Sequence, residues 1–255
     1  MAGGDSERPV AADDERAFAR PLDERFFECA SSHILGLSWP YMKVSTRDRQ
    51  PLVTGGRTAG MDLAPGSWRL ATPLFVLAVP ATLLFAPAGI LLVALGATTL
   101  WFHRDPPRPT GTGVVSPADG TVSVVREEDG RLRVGVFMSP LSVHVNRAPL
   151  GGRVARVRHV TGAYKPAFSK DSDRNERVRI EGDDWTLVLI AGWFARRIHP
   201  YVDAGDDLAA GDRVGHISYG SRADVLCPPD VTREALVVAK GDSVRAGETL
   251  AHIPE

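Results

Sequence analysis

The chain runs from a polar stretch into a long apolar one, then alternates in short apolar runs to its end. From Leu70 to Phe102 no charged residue occurs in 33 consecutive positions, well beyond the ~20 that a helix needs to cross the hydrocarbon core of a bilayer. Pro80 and Pro87 interrupt this stretch, with Gly89 close behind; proline removes a helix hydrogen bond and restricts the residue before it. The pattern predicts two half-segments, about 73–86 and 88–102, folded as a helical hairpin that enters and leaves a membrane on one side. Arg69 precedes the stretch, beside Trp68, and His103, Arg104 and Arg108 follow it. Basic residues on both flanks put both ends at the cytoplasmic face of the cell membrane. A single kinked span, leaving one basic flank outside, is the alternative.

Asp105 to Gly113 holds three prolines and two glycines and reads as a linker. Beyond it the period changes. Val114–Val115, Gly120–Val125, Leu132–Phe137, Val154–Val160, Arg177–Ile180 and Trp185–Ile190 are short β-branched runs separated by Gly, Asp and Pro, the pattern of an all-β sandwich or barrel. Ala191–Ile198 alone suggests a helical turn. Gly211-Asp-Arg-Val214 and Gly241-Asp-Ser-Val244, each followed by a His-Ile pair, form a quasi-repeat. The second copy resembles the hairpins of lipoyl- and biotinyl-carrier domains and related barrel-sandwich hybrids. The expected organisation is a polar arm over 1–66, a membrane-attached hairpin over 67–104 and a mainly β, barrel-sandwich-hybrid-like catalytic domain over 105–255.

Composition narrows the function. A net charge of −1 and a pI near 6.7 exclude the clustered basic face of a nucleic-acid partner. Cys29 and Cys227 stand far apart, with no C-x-x-C spacing, and read as two unpaired thiols in a reducing compartment. The first twenty residues are polar and acidic and lack the apolar core of a signal peptide. No His-x-His or His-x-x-x-His pair suggests a zinc site, and Lys240 lacks the neighbours of a lipoylated lysine, so no metal is expected.

Three short runs carry chemistry. Gly220–Ser221 lies between two apolar-alternating segments, where a Gly-Ser pair is ordinarily a turn. His144 sits in Val143-His-Val145, and Asp119 in Pro117-Ala-Asp-Gly120; either, alone, is more often structural. Together an Asp, a His and a Ser are the parts of an activated hydroxyl, the His removing its proton and the Asp holding the His. The G-x-S-x-G elbow of common hydrolases is absent.

Val115-Ser-Pro-Ala-Asp-Gly120, Phe137-Met-Ser-Pro-Leu-Ser-Val-His-Val-Asn-Arg147 and Tyr219-Gly-Ser-Arg-Ala-Asp-Val225 resemble the phosphatidylserine decarboxylase proenzymes, in their short prokaryotic branch. Phe102–Arg108, Asn175–Arg177 and Ile190–Arg197 extend the likeness, which covers roughly 70–254. The resemblance implies a zymogen that cuts itself between Gly220 and Ser221. Ser221 Oγ attacks the Gly220 carbonyl, the resulting ester eliminates, and Ser221 becomes a covalent pyruvoyl cofactor. The products are chains 1–220 and 221–255, which stay associated. The pyruvoyl group then serves as electron sink while phosphatidylserine, drawn from membrane lipid, loses CO2 and becomes phosphatidylethanolamine, a step of phospholipid biosynthesis. Asp119, His144 and Ser221 carry over as the catalytic set. Apart from the resemblance, β-edges near a membrane-bound hairpin are compatible with a homodimer, and the oligomeric state is left open.

One departure bears on the base. The longer branch has two histidines three apart; here the first is His144 and the second position is Arg147. His144 then serves maturation, decarboxylation or both. Arg147, Lys165, Arg196 and Arg197 are candidates for the head-group anion or plain solvated charge. The competing reading, from another class, is a non-enzymatic membrane-anchored β-domain that binds a partner.

Overall fold

The charge-free stretch forms two helices, α1 (Ser67–Leu84) and α2 (Ala86–Phe102). The break falls at Phe85, whose backbone is extended at φ −156°, ψ 96°, and not at Pro80, which lies inside α1 with Pro73. Pro87 occupies the first turn of α2, where a missing N–H leaves no bond unmade. The helices fold back on one another at small residues. A Cβ on Gly89 would stand 1.8 Å from the Thr82 hydroxyl oxygen, and one on Gly96 would stand 2.7 Å from the Phe75 ring. Thr82, Thr98 and Thr99 return their hydroxyls to carbonyls four residues back, at 2.7–2.8 Å, so polar groups are satisfied within each helix. Most other side chains are apolar and outward-facing, among them Val76, Val79, Leu83, Leu84, Ile90 and Leu91. α1 is long and apolar enough to cross a membrane; α2 is shorter.

The computed structural model describes residues 62–167, 170–193, 198–217 and 220–254, all within one compact unit spanning 46–255. The expected polar arm lies outside these residues except at its end, where β1 (Asp62–Leu63) pairs with β2 (Arg104–Asp105) across the foot of the helices. Part of the expected helical turn at 191–198 also lies outside them. The remaining strands are, in order, β3 (Val114–Val115), β4 (Gly120–Glu128), β5 (Arg131–Met138), β6 (Val145–Arg147), β7 (Gly152–Arg153), β8 (Arg156–Val160), β9 (Arg177–Glu181) and β10 (Thr186–Ile190). They continue as β11 (Ile198–Pro200), β12 (Asp207–Leu208), β13 (Arg213–Ile217), β14 (Ser221–Leu226), β15 (Ser243–Val244) and β16 (Thr249–Ala251). The protein is thus mainly β with two apolar helices, as expected.

A seven-stranded antiparallel sheet runs β15-β4-β5-β14-β10-β9-β8, and the described strand pairs within it are all antiparallel. Side chains alternate between its faces. Val134, Val136, Met138, Ala223, Val225, Leu187, Leu189, Val178 and Ile180 point into the main core. Val188, Ile190 and Leu226 form a second apolar cluster on the other face, beside the buried charges Arg133, Arg222 and Asp224. By this alternation Ser221 shares the core face with Ala223 and Val225.

Four glycine-acid corners stitch the domain together, twice the number in the quasi-repeat. Gly205, Gly211, Gly241 and Gly247 have φ of 96°, 84°, 104° and 89°, a region glycine enters without strain. Each glycine N–H donates to a carbonyl, of Val154, Ala148, Val122 and Ser116 respectively. The same four residues return their own N–H groups to the carbonyls of Asp206, Asp212, Asp242 and Glu248. Each acid side chain also accepts the backbone N–H three residues earlier, at 2.7–2.9 Å. The corners fall in two pairs spaced six residues apart, as do the residues they dock on: an internal pseudo-symmetry.

Candidate active site

Ser221 opens β14 opposite Met138, the last residue of β5. The chain leaving Met138 makes a turn at Ser139–Ser142, with the Ser142 N–H donating to the Ser139 carbonyl at 3.0 Å, and then delivers His144 to the start of β6. The residue on the other side of the expected cleavage point, Gly220, has φ 66°. An added Cβ there would meet nothing within 4 Å, so glycine is required by conformation and not by space.

The Gly220 carbonyl oxygen is held close to a second glycine. A Cβ on Gly192 would lie 1.6 Å from that oxygen and 2.8 Å from its carbon, so only hydrogen fits at Gly192. Buried Asn175 places this glycine: its Nδ2 donates to the carbonyls of Ala191 and Lys165 at 2.8 and 2.7 Å, and its Oδ1 accepts the Lys165 N–H at 2.8 Å. The Ala191 N–H in turn donates to the Glu176 carbonyl at 2.9 Å.

Ser221 and His144 are 0% and 2% exposed. The Ser221 hydroxyl oxygen and His144 Nε2 are both buried without a hydrogen-bond partner, so they are not bonded to one another. Asn146 Oδ1 is a third such atom; the amide's nitrogen donates to Met138 Sδ at 3.5 Å, which ties β6 to the residue facing Ser221. A buried unpartnered polar atom costs about 1–3 kcal/mol. Three such atoms lie around one strand junction.

The state of His144 follows from its contacts. Nδ1 lies 2.9 Å from the Ser142 carbonyl oxygen, which can only accept, so Nδ1 carries the proton and Nε2 presents a lone pair. Burial pushes its pKa down to about 4, aided by the nearby His103 and Arg104 and opposed by the Ser142 hydrogen bond and Asp119. The ring is a neutral base at pH 7. Phe102, the last residue of α2, lies 4.3 Å from it, centroid to centroid, with the planes tilted 35°.

Asp119 does not hold His144. Both of its oxygens are taken by the Arg108 guanidinium, and Oδ1 also accepts the Ala246 N–H at 2.9 Å. Arg108 comes from the Pro-rich linker, whose path no motif reveals. The task expected of Asp119, fixing the tautomer, falls to the Ser142 carbonyl, and its charge reaches His144 only through space. Arg147 is likewise committed, with Nη2 on Asp105 at 2.9 Å and the Pro106 carbonyl at 3.1 Å, and Nη1 on the Gly211 carbonyl at 3.0 Å. It clamps the helices' exit to β6 and is not placed to bind a head group. Arg196 and Arg197 lie outside the described residues. No group of three or more His, Cys, Asp or Glu among the described residues could hold a metal ion.

A polar network runs from the residue after Ser221. Arg222 donates to Asp224 at 2.7 and 2.8 Å, to the Ser172 hydroxyl at 2.7 Å and to Asp173 at 2.5 Å. Arg133 meets Asp224 at 2.5 Å and Glu128 at 2.7 Å. These pairs hold β14 to its neighbours independently of the bond at 220/221. Sequence reasoning missed Asn146 and Gly192: both stand in the quoted motifs, but their roles depend on partners more than ten residues away for Gly192 and on a buried sulfur for Asn146.

Comparison with known proteins bears on the chain as a whole. A family model described as phosphatidylserine decarboxylase matches residues 95–252. The putative archaetidylserine decarboxylase proenzyme of Halobacterium salinarum is 61% identical over 188 residues, covering 73% of this chain and 96% of that protein. The phosphatidylserine decarboxylase proenzymes of Streptomyces avermitilis and Streptomyces coelicolor are 48% and 45% identical, covering 68% and 75% of this chain and 76% and 92% of theirs. With the match over 95–252 and relatives 45–61% identical along 68–75% of its length, the chain belongs to the phosphatidylserine decarboxylase family.

Proposed function

We propose that the protein is a self-processing enzyme that converts phosphatidylserine to phosphatidylethanolamine and CO2. One observation carries the reading: the Ser221 hydroxyl is buried and unpartnered, immediately after a Gly220 carbonyl confined by Gly192. A serine kept for structure would hydrogen-bond its hydroxyl.

In maturation Ser221 Oγ attacks the Gly220 carbonyl carbon and gives its proton to His144 Nε2. The Gly220–Ser221 C–N bond breaks, the Ser221 nitrogen takes up a proton, and the two halves remain joined as an ester. For this the two atoms must close to hydrogen-bond reach, a contact often looser before reaction. Removal of the Ser221 Cα proton then expels the Gly220 carboxylate; water enters, ammonia leaves, and chain 221–255 begins with a pyruvoyl group. The residues fit such a group: its carbon skeleton is that of Ser221, and the core-facing position among Met138, Ala223 and Val225 excludes water. When formed, it supplies the electron sink for the pair left as CO2 departs. His144 is assigned to maturation as the base; Asp119 acts on it only by charge.

The two chains stay together because β14, in chain 221–255, lies between β5 and β10 of chain 1–220. The Arg222–Asp173 and Arg133–Asp224 pairs cross the same division. The finer readings of fold and place are part of the proposal. The paired corners are read as a barrel-sandwich hybrid, and α1–α2 as a membrane anchor with Arg69 and Arg104 at the cytoplasmic face. Edge strand β8 carries Arg156, Arg158 and His159, charges that oppose edge pairing, so no dimer is built on it. The non-enzymatic alternative gains nothing from the family.

Purified protein incubated with phosphatidylserine vesicles should release CO2 and phosphatidylethanolamine, and folded Ser221→Ala should release neither. Product from Ser221→Ala, or none from the native protein, would overturn the reading. A second reading of the lipid rests on the 61% identity to the Halobacterium protein, against 48% to the Streptomyces one: the serine head group is carried by an archaetidyl lipid. Parallel turnover of the two lipids decides between them.

A further inference from the structure

We infer that the Ser139–Ser142 turn is a second membrane contact, with Leu141 dipping into the lipid interface beside the base. The inference rests on reading α1–α2 as a membrane anchor. Leu141 is 71% exposed, while Met138, Val143 and His144 around it are buried. A single exposed leucine is ordinary; the attachment of this one is not.

The turn is rigid. Besides its backbone bond, the Ser139 N–H donates to the Ser142 hydroxyl at 3.2 Å, and the two hydroxyls lie 3.1 Å apart. Pro140 takes the first central position, where its fixed φ suits a turn. Leu141 therefore takes the second, at the tip, where a polar residue or glycine is the usual choice. The turn is also tied to the foot of α2: Arg104 Nη2 donates to the Leu141 carbonyl at 2.7 Å, and Nη1 to the Trp101 carbonyl at 3.0 Å. The same guanidinium lies 4.0 Å over the Trp101 ring. Trp and Arg at the end of an apolar helix mark the depth of the head groups. Arg104 thus sets the Leu141 tip at the level where the anchor meets water.

That position serves the reaction. Ser142, at the end of the turn, provides the carbonyl that fixes His144, and Phe102, from the helix end, covers the same ring. A turn seated in the interface holds the site around His144 at head-group depth, so that a lipid can present its serine to the processed Ser221 without leaving the bilayer.

The test uses full-length protein. In a Cys29→Ser background, Leu141→Cys is labelled with an environment-sensitive fluorophore; Cys227 is buried. On adding phosphatidylcholine vesicles containing phosphatidylserine, label emission should shift to the blue and become protected from aqueous iodide. Protein that floats with the vesicles while its label stays unshifted and quenchable would overturn the inference and leave the anchor standing. Protein that does not float would remove both. Self-cleavage, followed on the same samples, reports separately on the proposed function. In Leu141→Glu, the ratio of turnover on vesicles to turnover on dispersed dihexanoyl phosphatidylserine should fall roughly tenfold, the scale of losing one leucine's burial. Val237→Glu, at an exposed valine near the C-terminal corners, should keep the native ratio. A native ratio in Leu141→Glu would contradict the inference, and if that variant does not fold the fluorophore measurement decides alone.

Discussion

Gly192→Ala tests whether the scissile carbonyl is positioned by the backbone pressed against it. The new methyl carbon would sit 1.6 Å from the Gly220 oxygen and 2.8 Å from its carbon. Non-bonded heavy atoms settle at roughly 3.5–4.0 Å, so one of the two segments must retreat by about 1.5 Å or more. Both are pinned, Ala191 by Asn175 and Glu176 and β14 by its place between β5 and β10. The strain should cost about 1–3 kcal/mol of stability, the usual range for overpacking. The effect on self-cleavage should be larger, since misplacing a reacting group by about 1 Å costs on the order of a hundredfold. The assay is cell-free synthesis of the full chain, with the 1–220 and 221–255 products followed on denaturing gels and a melting curve taken on the purified variant. Gly130→Ala is the control without a clash: Gly130 has positive φ, at 72°, and an added Cβ there meets nothing within 4 Å, so it should lose some stability and cleave normally. A Gly192→Ala protein that matures at the native rate would refute the positioning argument.

Four further outcomes follow. His144→Gln should fold and fail to cleave at a measurable rate on gels, and the native cleavage rate should hold down to about pH 4 before falling, since burial keeps the base neutral until then. Stability should follow the buried imidazoles: His144, and His216 in β13, with folded pKa values lowered by burial to about 4 and about 3 from 6.5, stay neutral in the native state while their unfolded forms take up protons. Stability is therefore complete above pH 6.5 and lost as pH falls toward 4; at about 1.4 kcal/mol per tenfold in proton affinity, His144 alone couples about 3 kcal/mol, readable by urea titration across that range. Asp119→Asn should slow cleavage by less than about tenfold, because the tautomer is set by Ser142, whereas a true triad aspartate would cost on the order of ten-thousandfold. Arg147→Met should leave the Asp105 carboxylate short of one partner and lower stability by about 3 kcal/mol, seen as a drop in melting temperature.

Much of this architecture could be read from residue pattern alone, where the determinants are local. A charge-free run and a change from long to short apolar periods suffice for two helices followed by a β domain. The hinge was harder to place: Pro80 is absorbed within α1, and the chain turns one residue before α2 accepts Pro87 in its first turn. Two of the four corners escape the pattern because Gly205 is followed by Asp206-Asp207 and Gly247 by Glu248-Thr249, without the valine of the other pair. Their equivalence lies in bonds to Val154 and Ser116, distant in sequence. The site divides in the same way. Ser221, Gly220 and His144 stand out by motif, but the capture of Asp119 by Arg108, the commitment of Arg147 to Asp105 and the approach of Gly192 to Gly220 are set by tertiary packing.

The claim on which the rest depends is that the Gly220–Ser221 bond is a reactant. Intact mass of the purified native protein tests it most directly. Two chains are predicted, 1–220 and 221–255, the shorter lighter by one ammonia than a chain begun by serine and closed to N-terminal sequencing. A single mass for the uncut chain, from protein that is folded and held under conditions of turnover, would contradict the account.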